Sequence, residues 1–415
     1  MNRKPSVGII FLTVFIDLVG FGIVLPLLPL FAGKEFAASG FTIGCLMAIY
    51  STMQFVFAPI WGRWSDRIGR RPILLLSTAG AAISYALFAI GCGQTGTAAL
   101  TLLFIARGFA GICGANITVA QAYIADITPP EERSKKMGLI GMAFGLGFIF
   151  GPAIGGIGLK FGGITAPGWI AAGLCALNFL FAFARLPESW KPGAISAARP
   201  RFEHFMETMK RPGIGVLVAV FFLATFCFAS FETTIGLLIS KNFNLPFKSL
   251  KGGLHEYDSR ISYLYAYCGI IGAFVQGGPL GRIVKKLGEP LLITLSLLFV
   301  AVSLAPMPFV TTWPLLLVVL AVLSIGSSLT RPPVFGMLSN LTPPEEQGAT
   351  IGVAQSAGSL ARIFAPLFAN SLLDLHPAYP YLICAGISLV AALFAWQFLV
   401  RVKPTGVAAE MQKAN

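Results

Sequence analysis

The feature that most constrains this chain is a succession of twelve apolar runs, most about 20 residues long or longer. They fall near 7–32, 42–64, 72–92, 97–124, 135–162, 167–186, 213–240, 258–281, 290–310, 313–337, 348–374 and 378–401. A helix of that length crosses the hydrocarbon core of a bilayer with every backbone hydrogen bond made internally. Charged residues make up only 11% of the 415 residues, whereas a soluble domain carries roughly 25%. A soluble fold could not hide that much apolar surface, so the bilayer is the solvent and the chain is an all-α membrane protein of twelve spans. The first run follows Arg3 and Lys4 like a signal peptide. It is too long for one, has no clear small-residue cleavage site and carries Asp17, so it is read as a retained span.

A net charge of +13 in a soluble protein would point to nucleic acid. Here the cations sit in short joints between spans and no basic stripe with interleaved aromatics appears, so nucleic acid is not an expected partner. Arg63, Arg67, Arg70, Arg71, Arg133, Lys135, Lys136, Arg282, Lys285 and Lys286 fall in alternate joints. That bias places both termini in the cytoplasm. The loop at 241–257 is the awkward piece, basic yet external on this reading. Seven cysteines lie in or beside apolar runs without a C-x-x-C pair and read as packing residues.

The chain divides in two. Residues 187–212 are the long polar stretch between spans, with Pro187, Pro192, Pro200 and Pro212 and charges of both signs. They are read as a cytoplasmic linker between six-span bundles at 1–186 and 213–415. The halves echo each other. TPPEE at 128–132 recurs at 342–346, an offset of 214, and the same offset pairs Gly138 with Gly352 and Pro152 with Pro366. GRWSDRIGRRP at 62–72 returns as GRIVKKLGEP at 281–290. Two related bundles predict a binding site at their interface, near the membrane midplane.

The joint between the second and third spans reads Gly62-Arg63-Trp64-Ser65-Asp66-Arg67-Ile68-Gly69-Arg70-Arg71-Pro72. Any cytoplasmic joint would be basic, but an acid and two spaced glycines inside the cluster are more specific. The pattern resembles the signature loop of the major facilitator superfamily. The fifth span carries Gly138, Gly147, Gly151, Pro152, Gly155 and Gly156, similar to the antiporter motif of the superfamily's drug-exporting branches. Small residues at this spacing let helices touch, and a proline permits a bend. Arg107-x3-Gly111 in the fourth span is similar to a further motif. The first half, including AYIADITPPEER at 122–133, looks most like the tetracycline/proton antiporters. The resemblance implies a major-facilitator fold in a bacterial inner membrane and a cytoplasmic gate built from Gly62, Asp66, Arg67, Gly69, Arg70 and Arg71. It also brings Asp126 into that cluster. The second half departs: the third span has Ser84 where tetracycline exporters carry an aspartate, and the eighth and ninth lack their histidine and acid.

Ionisable side chains at membrane depth are costly and mark function or a structural pair. Asp17 in the first span and Glu232 in the seventh are lone carboxylates, each able to exchange a proton or to serve a structural role, and Glu232 also to bind a cationic substrate. Arg107 fits proton coupling, charge compensation of a substrate, a structural ion pair, or snorkelling to the outer surface. Arg331 is a further intramembrane cation. Arg362 shares a helical face with Gln355 and Ser359, and replaces Phe148 at the repeat offset. It suits a substrate contact or a pair with Glu232 or Asp17. Tyr50, Gln54, Asn116, Tyr263 and Gln276 are candidate cavity residues, each equally readable as a helix–helix hydrogen bond.

No ATP-binding loop is present, and Gly91–Gly96 matches G-x-G-x-x-G only by chance, with no strand before it. His204, His255 and His376 have no metal spacing. The expectation is therefore a secondary transporter, not an enzyme, with no cofactor. It is expected to act as a monomer, exchanging small drug-like or amphiphilic molecules for protons by alternating access. Proton-linked uptake of a metabolite is the rival.

Overall fold

The computed structural model describes residues 6–190, 206, 209–211, 213–245, 248–250, 254–256, 260–343 and 346–399. Among these, eleven helices are long and apolar enough to cross a membrane. The first half comprises α1 (Val7–Val24), α2 (Leu28–Glu35), α3 (Gly40–Ile68), α4 (Arg70–Cys92), α5 (Gly96–Gly114), α6 (Ile117–Ile127), α7 (Pro130–Gly162) and α8 (Ala166–Arg185). The second comprises α9 (Ile214–Asn242), α10 (Arg260–Gly277), α11 (Leu280–Leu287), α12 (Glu289–Leu304), α13 (Trp313–Asn340), α14 (Gln347–Leu375) and α15 (Tyr379–Leu399). The helix at the expected eighth span, α10, is not among the eleven. Arg260, Tyr263, Tyr265, Tyr267 and Gln276 lower its hydropathy. In the loop at 241–257, β1 (Lys248–Leu250) pairs antiparallel with β2 (Leu254–Glu256), Ser249 opposite His255.

Two of the sequence runs are broken helices. The first divides at residues 25–27, where Pro26 and Pro29 remove backbone donors and the chain restarts as α2. The fourth divides at Ala115–Asn116 without a proline. There the carbonyls left over at the end of α5 find donors on α3. Trp61 Nε1 donates to Ile112 O at 2.6 Å, and Gln54 Nε2 donates to Gly114 O at 2.9 Å. A helix can stop at membrane depth only if its loose backbone groups are satisfied in this way.

The chain forms two compact units. One is Met1–Ser196 with Thr233–Ile270; the other is Ala197–Glu232 with Ile271–Asn415. The first is centred on Ile10, Val14 and Leu18 of α1, which pack with Ile73, Leu74 and Tyr123. The second is centred on Leu217, Ile293, Leu297, Val334 and Ala354, with alanines of α15 completing the layer. Of the expected linker, residues 187–190, 206 and 209–211 are described, and the first of these segments folds back on the start of α4 through Glu188.

Candidate functional site

The site begins with two helices in backbone contact. On α7, Gly147, Gly151 and Gly155 recur every four residues and form one stripe. A Cβ at Gly151 would lie 2.6 Å from backbone atoms of Gly22 on α1. At Gly147 it would meet Leu18 at 2.9 Å, and at Gly155 the Ile23 carbonyl at 2.9 Å. Gly22 answers from the other side, its Cβ position 2.5 Å from Gly147 O. The stripe is the seat of α1. Pro152 and Gly156 are buried beside it; α7 includes Gly138, whose surroundings fall outside the described residues. Replacing Gly151 with alanine is expected to destabilise the protein by about 1–3 kcal/mol through overpacking against immovable backbone. Gly141→Ala is the control, because nothing lies within 4 Å of its Cβ position. Thermal unfolding in detergent separates the two.

Seated there, α1 carries Asp17 into a nest of neutral donors. Asn116 Nδ2 donates to Asp17 Oδ2 at 2.8 Å, and Asn178 Nδ2 donates to Oδ1 at 2.9 Å. Asn116 reaches Asp17 from the break between α5 and α6. Asn178, in the middle of α8, also donates to Thr13 O at 2.9 Å, which fixes its orientation. Among the described residues, no cation forms an ion pair with Asp17. Asp17, Tyr50, Tyr85, Cys113 and Asn116 line a small, partly open cavity. Gly20 lets Tyr85 and Cys175 approach; a Cβ there would lie 3.0 Å from the Tyr85 ring.

Arg107 of α5 is the opposite charge nearby, only 2% exposed. It is held by rings rather than by acids. Its guanidinium carbon stands 4.6 Å from the Tyr50 ring centroid and 5.8 Å from that of Phe21. Its Nε and Nη1 are buried without a hydrogen-bond partner among the described residues. Cation–π contact offsets part of that cost. Gly111 makes the arrangement possible, since a Cβ there would strike Tyr50 O at 2.3 Å and hold α5 away from α3. Tyr85 lies within electrostatic reach of both Asp17 and Arg107.

At the α3–α4 joint a second cluster forms around Arg70. Its Nη1 donates to Asp66 Oδ1 at 2.5 Å and to Ser65 Oγ at 2.7 Å, and its Nε donates to Asp126 Oδ2 at 3.1 Å. Ser189 Oγ donates to the same Asp126 oxygen at 3.0 Å. Gly69 turns the chain with φ +99°, a conformation L side chains rarely adopt. Its missing side chain also leaves room for Glu188, whose Oε2 would lie 2.4 Å from a Cβ. Glu188 accepts from the backbone N–H of Arg70 at 2.8 Å and of Arg71 at 3.1 Å, capping the positive end of α4. Arg71 donates to Leu186 O and Phe183 O at the end of α8. Gly62 is buried at this end of α3, whereas Arg67 points outward, exposed.

In the second unit Glu232 is 9% exposed. It feels the charge of Arg362, which also acts on Arg331, itself stacked 5.4 Å from the Phe335 ring centroid. Gln355 O accepts from Ser359 Oγ at 3.1 Å, an ordinary helical back-bond. Gln276 Nε2 donates to Ser328 O at 3.4 Å and is otherwise exposed, as is Tyr263.

Compared with known proteins, residues 10–304 and 277–414 match the Major Facilitator Superfamily. The chain belongs to that superfamily. It is 33% identical over 382 residues to the tetracycline resistance protein, class E, of Escherichia coli, covering 88% of this chain and 87% of that protein. It is 28% identical to multidrug resistance protein 2 of Bacillus subtilis, over 94% of each chain. Among solved structures, the human organic anion transporter MFSD10 superposes with a TM-score of 0.70 at 24% identity, covering 95% of this chain and all of that one, and shares the fold. The protein is thus a Major Facilitator Superfamily transporter, an integral multi-pass membrane protein and not an enzyme.

The superfamily's internal repeat is visible in the joints. Gly288, between α11 and α12, repeats Gly69 with φ +75°. After it stands Glu289 where the first copy has Arg70, and Asn340 lies at the 214-residue offset from Asp126. Arg70 donates to Asp126 at 3.1 Å in the first copy; Glu289 accepts from Asn340 at 3.4 Å in the second. The turn is kept, while the cation Arg70 is replaced by an acid and the acid Asp126 by a neutral amide.

Proposed function

We propose that this transporter exports small, drug-like or amphiphilic molecules in exchange for protons by alternating access, with Asp17 as the proton carrier. The observation that carries the reading is the setting of Asp17. It lines a cavity, at membrane depth, held by two neutral carboxamides rather than by a cation. A carboxylate so placed has no opposite charge bound to it, so a proton or a cationic solute can supply one. Competition of the two for one cavity couples their opposite movements. Tyr50 and Asn116, which line the same cavity, are the substrate contacts in this reading. Gln54 supports them by closing the end of α5. Arg107 keeps a fixed positive charge behind Tyr50 and biases the cavity against a second bound cation. Relatives named for tetracycline and multidrug resistance support export over uptake. Placement in a bacterial inner membrane with both termini cytoplasmic belongs to the same proposal, as do contributions of Glu232 to proton binding and of Arg362 to substrate binding.

The test is purified protein in vesicles carrying a preformed acid gradient, read by a pH-sensitive dye. Tetracycline and panels of cationic, neutral and anionic amphiphiles are added in turn. Collapse of the gradient by one class, dependent on the protein, is the expected result. Solute movement that leaves the gradient untouched would remove proton exchange from the account.

A further inference from the structure

The α10–α12 joint carries a cationic surface outside the Asp17 site. The helix α11 reads Leu-Gly-Arg-Ile-Val-Lys-Lys-Leu and is sorted by face. Leu280, Ile283 and Val284 pack onto a small core of Val275, Leu292 and Leu329. Arg282, Lys285 and Lys286, at i, i+3 and i+4, share the opposite face and are all exposed. Leu287, at the end of the helix, is 41% exposed.

The repeat sharpens the contrast. In the first copy Arg63 and Arg67, at the positions of Arg282 and Lys286, are likewise exposed, and an acid, Asp66, lies between them in sequence, bound to Arg70. Aligned on Gly69 and Gly288, Lys285 stands at the position of Asp66. The acid that follows, Glu289, is engaged by Asn340 and sits against Gly336. Among the described residues, Arg282, Lys285 and Lys286 have no acid or carbonyl partner. A topology signal needs cations in a joint; it does not need them sorted onto one outward face of a helix.

We propose that this face of α11 binds the headgroup of an acidic phospholipid. The charge calls for an anion, and α11 joins directly to the membrane-spanning α12, which places the cations at the membrane edge where acidic headgroups are concentrated. Leu287, exposed at the end of the helix on its apolar side, suits an acyl chain below a headgroup held by the cations, which inorganic phosphate does not offer. A cation near such a surface contributes roughly fivefold in affinity.

The full-length protein in detergent is titrated with phosphatidylglycerol or phosphatidylcholine, and bound lipid is counted by native mass spectrometry. Wild type is expected to retain phosphatidylglycerol preferentially. The triple variant Arg282→Gln, Lys285→Gln, Lys286→Gln is expected to lose at least about 10-fold of that affinity. Lys160→Gln combined with Lys241→Gln, exposed cations elsewhere, should change nothing. If the triple variant does not fold, Lys285→Gln and Lys286→Gln are measured singly, each expected to lose severalfold, with Lys285→Arg retaining binding. Equal retention of both lipids by wild type, or undiminished phosphatidylglycerol binding by the variants, would overturn the proposal and leave the cations as topology determinants. Displacement of phosphatidylglycerol by inorganic phosphate at comparable concentration would overturn the choice of lipid.

Discussion

Asp17→Asn is expected to abolish solute-driven proton release while leaving the protein folded. The substitution keeps the shape of the side chain and removes its titratable group. The hydrogen bonds can re-form. Asn178 is fixed by its second bond to Thr13 O, so the new carboxamide must turn its oxygen toward Asn178. Its amino group then faces Asn116, whose own carboxamide can flip to accept. Unfolding temperature in detergent should therefore stay close to wild type. The gradient-collapse signal should fall to that of empty vesicles, and uphill export should vanish. Downhill equilibration of a neutral solute should survive, because the cavity and its rings are intact, whereas that of a cationic solute should weaken with the loss of the carboxylate's charge. That split matters. Loss of both uphill and downhill movement would make Asp17 a substrate ligand rather than a proton carrier, and unchanged gradient collapse would make it structural.

The spans were legible in the sequence because the bilayer imposes a length and a composition on each helix. The eighth was harder, because the tyrosines and Gln276 of α10 dilute the apolar signal. Of the two breaks, Pro26 and Pro29 announce the first. The second, at Ala115–Asn116, has no proline, and its best sign is the glycine-rich run before Asn116. The same contrast divides the site. Asp17 and Arg107 stand out because a charge inside an apolar run is anomalous. Asn178 is a lone uncharged amide in α8 and stands out less, although an amide at mid-span needs partners for the same reason a charge does. Glu188 was invisible for the opposite reason. It lies just beyond a span, where a carboxylate is ordinary, and the packing of α8 against α4 brings it to the start of α4, where Gly69 leaves room for it. The glycines of α7 announced a close contact but not its partner. That partner is α1, so the antiporter-like stripe and the Asp17 helix are one structure.

Arg70→Gln is expected to cost about 3 kcal/mol of stability and most of the transport activity. Arg70 is buried and is shared by two acids from different helices, Asp66 on α3 and Asp126 on α6. Removing it takes from Asp126 the cation it is bound to and from Asp66 one of its partners, whereas removing one acid leaves Arg70 with the other. Asp126→Asn alone should therefore cost less than Arg70→Gln. The double variant Arg70→Gln, Asp126→Asn should recover part of the loss, because it removes the charge that Arg70→Gln strands. A double-mutant cycle on unfolding temperature measures that recovery, and additivity of the two losses would show that the contact carries no coupling. Activity per folded molecule then separates two roles. If Asp126→Asn keeps its fold but loses turnover, the cluster is part of the moving gate. If turnover follows folded protein throughout, the cluster braces the end of α3 against α4 and α6, and the gate must be sought elsewhere in the chain.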